Sequence, residues 1–125
     1  MDEKRTNVRW KIVLPVRYVG LNKHTESAAR TQDISISGAR LAMVERHRAG
    51  DRLGIMLDFS QVSNKPICID ADVVWQKVSC DLNEECNYLT GVVFRKISEC
   101  GKRDLVQCVH ESHPEEFRRH WWDGV

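Results

Sequence analysis

Trp10-Lys11-Ile12-Val13-Leu14-Pro15-Val16-Arg17-Tyr18 is the stretch that fixes the reading of the fold. Its even positions are Trp, Ile, Leu, Val and Tyr, while the odd positions include Lys11 and Arg17. A period of two sends one set of side chains to a dry face and the other to a wet one, as in a half-buried β-strand. Pro15 cannot donate to a ladder, so the expectation is a strand at a sheet edge or one carrying a bulge.

Downstream, the same pattern recurs. A second strand is expected from about Ser27 to Ile36, and Ser37-Gly38 turns the chain into a third from Ala39 to Val44. After the break at Ala49-Gly50-Asp51, Leu53, Ile55, Leu57 and Phe59 alternate with Gly54, Met56 and Asp58. Ile67, Ile69, Ala71, Val73 and Trp75 then share one parity, with Asp70, Asp72 and Gln76 on the other. A polar loop from Ser79 to Asn87 leads to a last extended run, Tyr88 to Phe94.

The period changes at Ser98. Leu105, Cys108 and Val109 recur at helical spacing, with Ser98 as candidate N-cap and Pro114 beyond the end, which predicts one helix of about three turns. Pro114, Glu115 and Glu116 ahead of Arg118 and Arg119 have the charge order of a short second helix, with Phe117 and Trp121 on one side. Trp121 and Trp122 are expected to cap the barrel or to meet another subunit. Six short strands followed by a helix predict a mainly β protein, an antiparallel six-stranded barrel with a C-terminal α-helix against its surface or end.

Composition narrows the function. The 125 residues suit one domain, 42% apolar and 30% charged, with no apolar run approaching the roughly 18 residues of a membrane span. The charged start Met1-Asp2-Glu3-Lys4-Arg5 lacks a signal peptide's apolar stretch, so a cytoplasmic location without membrane insertion is expected. Five cysteines (Cys68, Cys80, Cys86, Cys100, Cys108), with no CxxC pair, read as reduced packing residues, and the spacing of Cys100, Cys108, His110 and His113 matches no zinc pattern. No nucleophile pattern accompanies the five histidines, so no enzyme is expected. A formal net charge of +1 argues against nucleic acid as partner, although residues 1–24 hold six basic groups against two acidic ones and would attract a compact anion.

Two motifs carry the functional reading. Arg5-Thr6-Asn7-Val8-Arg9 sets two arginines four residues apart just before the first strand. Extended, they project to the same side with Cα atoms about 13 Å apart at most, and their guanidinium forks suit phosphate oxygens or the O6/N7 edge of guanine. The second motif, Asp33-Ile34-Ser35-Ile36-Ser37-Gly38, reads DxSxxG. Asp33 and Ser35 share a parity and form a polar shelf; a carboxylate there accepts from guanine N1–H and N2–H₂, and Gly38 permits a positive φ or close backbone approach. Trp75 divides between a core position and a place flanking the ligand, while Arg17 and Arg40 read as solvated surface ahead of a place on the barrel near the site.

The ordered set Arg5/Arg9, Leu14-Pro15-Val16-Arg17-Tyr18 and Asp33/Ser35/Gly38 resembles the PilZ domain family, and the resemblance runs from about Arg5 to Val109. Gly50-Asp51, Val73-Val74-Trp75 and Gly91-Val92-Val93-Phe94 look like that family's later strands. The resemblance implies a Greek-key barrel that binds cyclic di-GMP and no other cofactor. Arg5 and Arg9 would meet phosphate and guanine edge, with Asp33, Ser35 and Gly38 holding a guanine against the barrel. Lys4 stands where the family sets whether one or two stacked ligands bind, and a basic residue leans toward two. The domains expected are an arm at 1–10, a barrel with helix at 11–112 and a tail at 113–125, in a monomer or homodimer that signals to a downstream protein. Two rivals stand beside this: a barrel of the same fold that works through protein contacts without the nucleotide, and a single-stranded RNA binder, which the near-neutral charge disfavours.

Overall fold

The computed structural model describes residues 8–20, 25–59, 66–79, 88–97 and 99–119. Six antiparallel strands, β1 (Pro15–Gly20), β2 (Ser27–Ile34), β3 (Gly38–Met43), β4 (Arg52–Leu57), β5 (Ile67–Val78) and β6 (Tyr88–Lys96), precede α1 (Glu99–Ser112) and α2 (Pro114–Arg119). The ring runs β1-β2-β3-β6-β5-β4 and closes through pairing of β4 with β1. The order 4-1-2-3 within it is a Greek key.

Alternation explains the interior. Val16, Tyr18, Leu41, Leu53, Ile55, Leu57, Ala71 and Val73 all point inward and are buried, and Leu105, Cys108 and Val109 of α1 join the same core. Each fully buried aliphatic side chain is worth about 1.5–3 kcal/mol. Leu105 and Val109 therefore fasten the helix to the barrel.

The first strand differs from expectation. Trp10, Ile12 and Leu14 are buried on the predicted parity, yet the ladder starts only at Pro15. The cause is Thr31, which is buried: its hydroxyl accepts from the Leu14 amide at 2.8 Å and donates to the Ile12 carbonyl at 2.7 Å. A side chain thus replaces part of the ladder. Pro15 occupies the first position of its strand in a closed ring, where its missing N–H costs nothing, so neither an edge nor a bulge is required.

Bulges sit in β2 between Thr31 and Asp33, and in β5 between Val73 and Trp75. One extra residue reverses the facing of everything after it. α1 is about a turn longer than expected, and Cys68 is exposed rather than packed, while Cys108 is buried. Ser98, Trp121 and Trp122 lie outside the described residues.

Candidate functional site

The bulge at Gln32 pairs Asp33 with Arg40 across β2 and β3. Asp33 is 0% exposed, and such a carboxylate needs partners, since burying an unpaired charge costs several kcal/mol. It has two. Arg9 Nη1 donates to Oδ1 at 2.8 Å, and Arg40 Nε donates to Oδ2 at 2.6 Å, with Arg40 Nη2 on the same oxygen. The side chains of Arg9 and Arg40 remain 54% and 40% exposed, so the rest of each fork faces solvent.

Ser35 serves the turn that follows. Its hydroxyl accepts from the amides of Ser37 at 3.1 Å and Gly38 at 3.2 Å, while its own amide donates to the Gly38 carbonyl at 2.8 Å. Gly38 has no positive φ. It is needed for close approach, because a Cβ would overlap the Val92 carbonyl oxygen on β6.

Trp75 is the second place where facing departs from simple parity. Counted from Ile67 it belongs with the core, but the bulge at Val74 turns it outward, 38% exposed, opposite Gly91 on β6. Of the two expectations for Trp75, the core position is the one the structure rules out. Because Gly91 also pairs with Arg40, a single row crosses four strands: Trp75, Gly91, Arg40, Asp33. Over it lies a cleft of about 440 Å³ whose lining includes Arg9, Arg40, Val74, Trp75, Gly91 and Val93.

The structure therefore brings Arg9, Asp33 and Trp75 together and places Ser35 and Gly38 in the adjoining turn. Lys4 and Arg5 lie outside the described residues. Arg40, read from the sequence as solvated surface, is instead bound to Asp33; the available signal was a lone cation between Ala39 and Leu41 on an apolar strand. The role of Gly91 depends on which residue faces it, and the β5 bulge decides that.

At the start of the barrel Trp10 exchanges two backbone hydrogen bonds with Ile34, at 2.8 and 2.9 Å. Its ring stacks on Phe117 of α2, and the next amide, that of Lys11, donates to Glu116 Oε2 at 2.8 Å. Arg9 thus emerges from a segment held on both sides.

A family model described as the PilZ domain matches residues 3–111. The chain belongs to the PilZ domain family. Solved structures, two of them of PilZ domains, agree with the barrel seen here. The PilZ domain of YcgR from Escherichia coli, determined with c-di-GMP, superposes with a TM-score of 0.67 at 18% identity, covering 98% of this chain and 100% of that one. The PilZ domain of CeSA from a cellulose-synthesising bacterium gives 0.60 at 12%, with 83% and 96% covered. The Bacillus subtilis inhibitor of motility MotI/DgrA gives 0.69 at 16%, covering 90% of this chain and 53% of that one, so this chain spans about half that protein's length. At these identities the likeness concerns the fold. No curated protein sequence matches the chain significantly. No helix among the described residues is long and apolar enough to cross a membrane.

Proposed function

We propose that this PilZ domain is a receptor, not an enzyme, for cyclic di-GMP, and that ligand capture reorganises its N-terminal arm into a surface read by a downstream protein. The observation that carries the reading is the convergence of Arg9 and Arg40 on Asp33 beside the outward indole of Trp75, over one open cleft. A guanine stacked on Trp75 presents its O6/N7 edge to an arginine fork and its N1–H and N2–H₂ to a carboxylate. Asp33 has lone pairs for a base while keeping Arg40. Arg9, the more exposed partner, then turns to the ligand, and Arg5 closes the arm over a phosphate. Ser35 and Gly38 hold the turn beside the base, and Lys4 bears on whether one ligand or two are taken up.

A micromolar complex corresponds to about 8 kcal/mol, and one bidentate arginine contact contributes about 1–3 kcal/mol. Loss of Arg9 or Asp33 is thus expected to weaken binding at least about fivefold. Isothermal titration with cyclic di-GMP, GTP and a single-stranded oligonucleotide should show heat for the first alone, reduced in Arg9→Ala and Asp33→Ala. Undiminished binding by the double variant would overturn the site. The rival, a barrel acting through protein contacts alone, draws on the fact that Asp33 is fully paired without a ligand; an absence of cyclic di-GMP heat in the unmodified protein would favour it.

A further inference from the structure

Gly91 faces outward in the middle of the four-strand row, yet it is buried. What covers it is the indole of Trp75. A Cβ built on Gly91 would fall within 2.8 Å of Trp75 Cζ2 and closer still to Cε2 and Nε1, a separation that real side chains do not tolerate. Its φ is not positive, so nothing in the backbone conformation calls for glycine there. The missing side chain is what the site uses.

A strand side chain ordinarily stands roughly perpendicular to its sheet. Over Gly91 the indole instead lies down across β6, toward β3. Neighbouring strands are about 4.8 Å apart, so Trp75 and Arg40, on either side of Gly91, are separated by about two such spacings. Between them the recumbent ring forms a flat floor, extended by Val74 and Val93, each 48% exposed, with the Arg40 guanidinium at its far margin. A two-ring aromatic surface ending at a donor fork matches a purine, which stacks on the first and presents its acceptor edge to the second.

We propose that Gly91 is the positioning residue for the ligand's base: by lacking a side chain it lays Trp75 flat, and any larger residue at 91 lifts the indole into the space the base requires. The inference rests on the receptor reading and adds to it the residue that sets the depth of the base slot. Gly91 acts through Trp75, so the two must be coupled.

The test is a double-mutant cycle read by titration with cyclic di-GMP on the full chain. Trp75→Ala should lower affinity about tenfold, in line with about 1–3 kcal/mol for one stacked base. Gly91→Ala should do likewise, and Gly91→Ala/Trp75→Ala should bind no worse than Trp75→Ala. In the ligand-free proteins, near-ultraviolet circular dichroism should change in Gly91→Ala, while the double variant should match Trp75→Ala. The proposal is overturned if Trp75→Ala or Gly91→Ala binds like the unmodified protein, or if the double variant is clearly weaker than Trp75→Ala. Should Gly91→Ala fail to fold, Trp75→Ala against the double variant, which has no clash, still decides. Failure of the unmodified protein to bind cyclic di-GMP would instead sink the receptor reading itself, whereas binding that depends on Arg9 and Asp33 but ignores Trp75 and Gly91 would sink only this inference.

Discussion

Asp33 joins stability to the proposed recognition in one side chain. Its two oxygens hold Arg9 and Arg40, and charge-assisted bonds of this kind are worth about 1.5–3 kcal/mol each before the burial of the carboxylate is set against them. Replacing Asp33 by Ala leaves two half-exposed guanidiniums that water can solvate, so thermal denaturation should show a modest loss of about 1–3 kcal/mol with the barrel intact. A second residue predicts alkaline behaviour. Burial, and then the charges of Asp104 and Glu111, push the Cys108 thiol above its ordinary 9.0. A raised acid keeps its proton longer when folded than when unfolded. The stability tied to this protonated thiol is therefore whole below pH 9.0 and drains away as pH climbs toward the folded value. Melting temperatures should fall above that point, and less steeply in Cys108→Ala. At neutral pH, residue-resolved alkylation should mark exposed Cys68 and spare Cys108 until denaturant is added.

Among the elements, α2 has the least to hold it by itself. It is six residues long with no buried residue, and an isolated helix of that length is unstable in water. What fixes it is borrowed from the other end of the chain: Glu116 accepts the Lys11 amide, and Phe117 lies between Trp10 and His110. Phe117→Ala and Glu116→Ala should therefore raise amide hydrogen exchange in residues 8–11 as well as in α2, while β3 and β6 stay protected. Strand by strand, the sequence was legible wherever alternation was unbroken. Leu53, Ile55 and Leu57 point inward as their parity requires, and α1 follows from Leu105, Cys108 and Val109. It was not legible past an inserted residue. The bulges at Gln32 and Val74 arise from pairing between strands, which no local period records, and they put Arg40 on Asp33 and turn Trp75 outward. The ladder's late start at Pro15 has a similar cause, a Thr31 hydroxyl from another strand. Of the candidate site, Arg9 and Trp75 line one cleft and Asp33 is tied to it through Arg9; Arg40 and Gly91 needed the register before their places could be known.

For the molecule as a whole, closure sets the folding behaviour. β1 must find β4, and β3 must find β6, across long stretches of chain. Barrels dominated by such distant pairings fold in about milliseconds to seconds. Refolding from denaturant should fall in that range, and far-ultraviolet dichroism and tryptophan fluorescence should report coincident unfolding, because α1 shares the barrel's core. The ring has one more consequence. Among the described residues each strand has a neighbour on both sides, and β5 runs on with β6 alone only past the Asp72–Arg52 pair, so the ring offers a peptide little backbone margin onto which it could be stitched as an additional strand. A protein that reads the proposed receptor would therefore meet mainly side chains displayed on its outside, and selectivity between such partners should be rewritten by surface substitutions more readily than by backbone zippering.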